Sequence, residues 1–186
     1  MRSVNREIEL LIKLEGIVRE ALGRCPLGTA VEVRGPYGVP YIDRVPHGRR
    51  FLLAGGGSGV APLLHFRDQH PDLCAGAVFG FRTADTAALF PEEELVIEER
   101  DRLQAAAVAI RRRPANAGLI ACGPEPMLAS LAAQYHGDPD VYVSLETRIG
   151  CGIGACLGCS IETTQGMRRI CRDGPIFQAM ELLWPI

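Results

Sequence analysis

Lysine is almost absent from this chain: Lys13 is the only one, and arginine carries nearly all of the basic character. We read that bias as genome composition rather than phosphate recognition. Neither sign of charge dominates. A formal net charge of -2 over 186 residues argues against a nucleic-acid or anionic-membrane surface as the main partner. Long apolar runs are missing too. The longest, near Leu103–Ile110, is broken by Gln104 and falls far short of the roughly 20 residues that span a bilayer. The opening MRSVNREIELL has neither the long apolar core nor the small-residue cleavage site of a secretory signal, so a cytoplasmic protein is expected. There is no internal repeat, no low-complexity linker and no Ser/His/Asp or paired-carboxylate arrangement, which leaves acid–base catalysis without candidates. What remains is an ordinary globular balance, 47% hydrophobic and 23% charged, which excludes disorder and fibre.

Cysteine is the informative residue. Cys25, Cys74 and Cys122 are scattered, whereas Cys151, Cys156, Cys159 and Cys171 fall close together near the C-terminal end. Seven in all, an odd number, disfavours a disulfide scaffold and favours metal ligation. The spacing C-x4-C-x2-C-x11-C has the loop pattern of plant-type [2Fe–2S] centres. Such a centre needs four thiolates on two irons, and the loop CGIGACLGC can supply three only by wrapping tightly. Gly152, Gly154 and Gly158 permit that approach and let backbone N–H groups point at sulfur. A structural zinc site is the alternative, although zinc ligands usually come as two separate hooks.

The chain divides into three regions. In the first, residues 1–48, Glu7–Leu14 and Ala30–Arg34 alternate as strands do, and Ile17–Gly23 reads as a short helix with Ile17, Val18, Ala21 and Leu22 on one face. Gly35-Pro36-Tyr37-Gly38 reads as a turn. The second region, 49–144, alternates strands and helices: strands at Phe51–Ala54, Ala75–Phe81, Gly118–Ala121 and Val141–Ser144, and helices from Val60, over Glu92–Arg113 and from Met127. In the long helix Leu103, Ala106, Ala107 and Ile110 would face inward, with an acidic start and Arg111-Arg112-Arg113 at the end suiting the dipole. In the last helix Met127, Leu128, Leu131 and Ala132 would be inward. The alternation indicates an α/β domain with a parallel sheet covered on both faces. The third region, 145–186, is rich in glycine and cysteine and has little periodicity. It is too small for its own apolar core, so a metal centre would have to organise it.

Two motifs in the second region sit where ligands gather in open α/β sheets. Gly55-Gly56-Gly57-Ser58-Gly59-Val60-Ala61-Pro62 follows a strand and opens a helix, a place where backbone amides and a helix N-terminus can face a pyrophosphate. It lacks the GxGxxG spacing of a dinucleotide fold, and a tight packing turn is the other reading. Cys122-Gly123-Pro124 ends a later strand, where Cys122 could equally be a small buried residue.

Together these stretches resemble a known family. SLETRIGCGIGACLGCSIETTQGMRRICRDGPIFQAMELLW closely resembles the C-terminus of the electron-transfer subunit of class B dihydroorotate dehydrogenase, an iron–sulfur flavoprotein of the ferredoxin-reductase superfamily. GGGSGVAP (Gly55–Pro62) resembles that family's nucleotide loop, and CGPEPM (Cys122–Met127) its motif beside the nicotinamide. The resemblance implies a ferredoxin-reductase-type nucleotide-binding domain, a short N-terminal β remnant of the flavin domain and a small C-terminal [2Fe–2S] domain. It also implies electron flow from NAD(P)H to FAD and, through the cluster, to an FMN-bearing catalytic subunit that oxidises dihydroorotate, hence a hetero-oligomer. No Arg-x-x-Ser flavin motif precedes Gly35, and Gly16-Ile17-Val18 stands where relatives carry a Gly-Thr pair.

Gly55, Gly56, Gly57, Ser58, Gly59, Ala61, Pro62, Cys122, Gly123 and Pro124 are therefore the expected nucleotide contacts. Arg82 joins them, because the superfamily often places a phosphate contact after the second strand; a solvated arginine is the other reading. His47, His65, His70 and His136 show no ligand spacing and are expected at the surface. Asp173 and Glu146 flank cluster cysteines, and a charged exposed loop explains both. The expected role is electron transfer within a complex. The alternatives are a flavin-free iron–sulfur connector subunit and a zinc-stabilised binding module.

Overall fold

The computed structural model describes residues 2–4, 7–12, 16–88, 90, 94–97 and 104–184. Within them the chain runs β1 (Arg2–Val4), β2 (Glu7–Glu9), α1 (Ile17–Gly23), β3 (Phe51–Gly56), α2 (Val60–Gln69), β4 (Cys74–Phe81), α3 (Ala84–Ala87), β5 (Glu94–Ile97), α4 (Gln104–Arg112), β6 (Gly118–Cys122), α5 (Glu125–Gln134), β7 (Val141–Ser144), β8 (Ser160–Thr163), β9 (Gly166–Arg169), α6 (Ile170–Asp173) and β10 (Ile176–Gln178).

The central sheet has the order β10-β7-β6-β3-β4-β5. β7, β6, β3, β4 and β5 are parallel, and β10 pairs antiparallel with β7. Counted among the parallel strands alone, the order is 3-2-1-4-5, with the direction of winding reversing between β3 and β6. That reversal is where open α/β sheets leave a crevice at the strand C-termini.

Both faces are covered, as continuous apolar strands require. Phe51, Leu53, Phe79, Ile120 and Tyr142 point to the face packed by Val60, Leu63 and Phe66 of α2. Their neighbours Leu52, Ala54, Val78, Leu119, Ala121 and Val143 point the other way, against α4 and α5. The period of two along each strand sorts the core into these two layers.

Several readings from sequence need correction. Glu92–Arg113 is not one helix. Glu94–Ile97 pairs in parallel with Val78–Phe81 as a strand, and the helix covers Gln104–Arg112. A stretch of three apolar residues, Leu95–Ile97, carries no decisive period, so only the open edge of β4 selects strand. Leu103 and the acidic start at Glu92 lie outside the described residues. On α4 Ala106 is buried as expected and Ile110 packs against the core half-buried, while Ala105 and Ala109 are buried in addition and Ala107 is only half-buried. The arginine-rich end is confirmed.

Ala30–Arg34 forms no strand: the segment is exposed and unpaired among the described residues. Alternation without a neighbouring strand has no ladder to join. The expected strand over Glu7–Leu14 shrinks to Glu7–Glu9, in a hairpin with Arg2–Val4, while Leu14 lies outside the described residues. The helix at Ile17–Gly23 forms with Ile17 87% exposed, so the apolar face expected there packs against no core at that position.

The third region also differs from expectation. Cys159, Ile161, Ile170, Cys171, Phe177 and Leu182 are buried in the same core layer as α4 and α5, and β10 extends the main sheet. This segment therefore rests on the apolar core of the α/β unit and is not held by a metal alone. His65 and His70 are half-buried rather than surface residues, whereas His47 and His136 are exposed.

Candidate functional site

The two motifs meet at the reversal point of the sheet. β3 ends in Gly56, one turn of 3-10 helix covers Gly57–Gly59, and α2 begins at Val60. β6, beside β3, ends at Cys122 and passes through Gly123 and Pro124 into α5. The glycines sort by role. A Cβ on Gly55 would lie 2.9 Å from both Phe79 and Val60, so that glycine serves core packing. One on Gly56 would lie 2.8 Å from Pro124, and one on Gly123 would lie 3.0 Å from the Gly56 nitrogen. Gly59 is pressed against the carbonyl of Cys122, so that the two loops touch backbone to backbone. Gly57 is different: its φ is +56°, nothing stands within 4 Å of where a Cβ would lie, and it is exposed, as Pro124 is. Ser58, Ala61 and Pro62 are half-buried at the start of α2. Arg82 is exposed just past the end of β4, on the same edge of the sheet.

Cys122 is fully buried, and burial first, then the nearby Glu146, push its thiol up to about 12. It stays protonated and donates toward Glu146 Oε1 at 3.9 Å. The hydroxyl of Tyr41 is buried beside it, and that burial raises the phenol well above its usual value. Glu146 also accepts a hydrogen bond from Ser58 Oγ at 3.4 Å. The carboxylate expected to be a mere solvated charge thus joins both glycine-bearing motifs. Its position two residues past the end of β7 was the available signal, visible only once strand order is known. Asp173 is likewise no free loop charge: its carboxylate accepts from the Arg169 backbone N–H at 2.8 Å and from Arg169 Nε at 3.1 Å.

The four clustered cysteines form two pairs. The Cys156 backbone N–H points at Cys151 Sγ at 3.4 Å, and the Cys171 N–H points at Cys159 Sγ at 3.5 Å. Backbone N–H groups of Cys156 and then Ile153 lower the Cys151 pKa to about 6, so this sulfur is readily a thiolate. Its hydrogen bond with Cys159, then desolvation, raises Cys171, which also feels the charge of Cys151. Cys159 and Cys171 are buried and Cys156 is exposed. Among the described residues no three Cys, His, Asp or Glu side chains close on a single metal-ion position. Cys25 and Cys74 stand apart, and the Cys74 thiol donates to the His70 carbonyl at 3.6 Å.

A cleft of about 350 Å³ joins the two halves of the site, lined by Tyr37, Glu146, Thr147, Ile149, Ile170, Cys171 and Pro175. Among the lining residues, Glu146 is the carboxylate that contacts Ser58 and Cys122, and Cys171 is one of the four clustered cysteines. The turn read at Gly35–Gly38 builds one wall. The Tyr37 ring packs on Gly152, Gly38 packs against the Gly174 carbonyl, and the Val39 N–H donates to that carbonyl at 2.6 Å. Arg44 donates to the Asp173 carbonyl.

A family model described as the iron–sulfur cluster binding domain of dihydroorotate dehydrogenase B matches residues 146–183. The dihydroorotate dehydrogenase B (NAD(+)) electron transfer subunit of Geobacillus sp. (strain WCH70) is 34% identical over 202 residues, covering 96% of this chain and 75% of that protein. The chain belongs to the family of dihydroorotate dehydrogenase B electron-transfer subunits. The Bacillus caldolyticus subunit is 35% identical over 191 residues, covering 94% of this chain and 73% of the relative. This dihydroorotate dehydrogenase B family member also resembles the solved structure of an NADH-dependent reduced ferredoxin-NADP oxidoreductase, with a TM-score of 0.72 and 25% identity over 93% of this chain and 67% of that one. The ferredoxin-reductase-type architecture expected from sequence is confirmed, and the iron–sulfur reading prevails over zinc. Among the described residues no helix is long and apolar enough to cross a membrane.

Proposed function

We propose that this chain carries electrons between a nicotinamide nucleotide and the catalytic subunit of a dihydroorotate dehydrogenase, through a [2Fe–2S] centre on Cys151, Cys156, Cys159 and Cys171. The observation that carries the reading is the pairing of thiols, Cys151 with Cys156 and Cys159 with Cys171, the last of which lines a cleft that Glu146 lines too. Two pairs suit two irons, and the donor set is all sulfur with amide N–H groups directed at it. When bound, the cluster supplies one-electron chemistry and a flavin supplies the exchange between hydride and single electrons.

The chain's own residues do the rest. Gly57, Ser58 and the start of α2 offer amides to a pyrophosphate, and Cys122–Pro124 borders the nicotinamide. N–H groups around Cys151 favour its thiolate form and stabilise added negative charge on a ligated centre. Tyr37 and Ile170 keep water from the Cys171 side of the cleft, lowering the local dielectric. Tyr37 lines the cleft between Glu146 and Cys171, an aromatic wall that is compatible with FAD between nucleotide and cluster.

One observation favours the second reading, a flavin-free connector: residues 24–50 contain no strand, and so no barrel wall for a flavin tail. Iron, sulfide, zinc and flavin analysis of anaerobically purified protein, followed by NADH addition under visible and EPR spectroscopy, separates the two. Two irons per chain, bound flavin and NADH-driven bleaching support the reductase. Iron without flavin or bleaching supports the connector, and a colourless zinc protein defeats both.

A further inference from the structure

Glu146 stands at the C-terminal edge of the sheet with one carboxylate oxygen toward each nucleotide motif: Oε2 accepts from Ser58 and Oε1 faces the Cys122 thiol. Both donors are neutral. Among the described residues no arginine, lysine or histidine forms an ion pair with Glu146. It is exposed, and it lines the cleft toward Ile170 and Cys171. A carboxylate held by two neutral donors, with no cation beside it, is an odd neighbour for a loop suited to an anionic pyrophosphate. A positive charge on the ligand itself would resolve the oddity, and a dinucleotide carries one on its nicotinamide ring only in the oxidised form.

We propose that Glu146 determines redox-state specificity at this site, its carboxylate facing the nicotinamide ring and favouring the cationic oxidised ring over the neutral reduced one. This rests on the nucleotide reading above. Cys122 and Ser58 act as fixed donors that aim the carboxylate, and Cys122 can do so because its buried thiol does not ionise at ordinary pH. Because the Glu146 charge tightens binding of NAD⁺ more than of NADH, bound NADH becomes a stronger reductant than it would be without that charge. A tenfold bias corresponds to about 30 mV for a two-electron couple, a useful push toward a low-potential cluster. No covalent role for the carboxylate is involved: it accepts hydrogen bonds and supplies charge.

The test is equilibrium binding by titration calorimetry to the purified holoprotein, NAD⁺ with the oxidised form and NADH with the dithionite-reduced form, so that no electrons pass. Glu146→Gln preserves shape and removes charge; because Glu146 is exposed, the variant should unfold at the wild-type temperature. Its NAD⁺ Kd is expected to rise about tenfold while its NADH Kd stays within about twofold, as one partly solvated charge–charge contact predicts. Glu146→Asp, which keeps the charge on a shorter arm, should recover most of the NAD⁺ affinity. Equal weakening of both nucleotides, or no change in either, overturns the proposal. Failure of the wild type to bind either nucleotide overturns the nucleotide reading itself, and this inference with it.

Discussion

The ring of Tyr37 lies on the Cα of Gly152, leaving no space for a Cβ there. Tyr37 belongs to the long irregular segment before the sheet and Gly152 to the cysteine loop, so this contact ties a cleft wall to the proposed cluster. Gly152 also has a φ of +75°, which costs a side-chain-bearing residue about 1–2 kcal/mol. Gly152→Ala should therefore yield protein with reduced iron and sulfide per chain. Adding Tyr37→Ala should restore part of the loss by relieving the collision. Full iron content in the single variant would show that the loop tolerates what the packing forbids.

Removing one ligand of an all-cysteine centre opens it to loss. Cys156→Ser should abolish the visible absorption and the iron content, whereas Cys74→Ser, whose thiol only donates to His70, should leave both unchanged. Metal analysis of the two variants side by side is the measurement.

In iron-free protein the thiols should divide by pH. Cys151 is lowered to about 6, so it is a thiolate above that pH and loses reactivity as pH falls through it. Cys122 is raised to about 12 and buried, so it remains a neutral thiol throughout the working range. Iodoacetamide labelling between about pH 5 and 9, read by peptide mass, should mark Cys151 in a pH-dependent way and spare Cys122. Rapid labelling of Cys122 at neutral pH would contradict its burial.

Gly59 touches the Cys122 carbonyl, and a Cβ would also come within 2.7 Å of the Gly123 nitrogen. Gly59→Ala must push the two loops apart, destabilising the protein by about 1–3 kcal/mol in denaturant unfolding, as overpacking does. It should also weaken NADH binding, because the loops border the same crevice.

Phe177 on β10 is 4% exposed within the core layer that also holds Leu128 and Leu131 of α5. Phe177→Ala should cost about 3–5 kcal/mol. The loss should appear in one cooperative transition, since the cysteine segment and the sheet share that core. Two separate transitions would mean the segment folds alone.

Much of this protein could be read from order and spacing along the chain. The strands at β3, β4, β6 and β7 were legible because each is a short apolar run between turn residues, and the face of α5 because Met127, Leu128, Leu131 and Ala132 follow the helical period. The four cysteines stood out by spacing, three of them within a nine-residue glycine-rich loop and the fourth, Cys171, twelve residues further on. Glu94–Ile97 and Ala30–Arg34 misled in opposite directions. The first became a strand because β4 offered it an edge, and the second did not because no strand lies beside it.

Local chemistry alone determined the α/β character, the two glycine-bearing motifs and the clustering of four cysteines, because each depends on residues close together in sequence. Tertiary structure decided what those pieces meet. The parallel order brings β6 beside β3 and β7 beside β6, and so carries Glu146 to Ser58, 88 residues away, and to Cys122. It also folds Tyr37 onto Gly152 and seats β10 on the sheet edge. Such contacts join segments whose separation no local period encodes, and burial of a shared core holds them together.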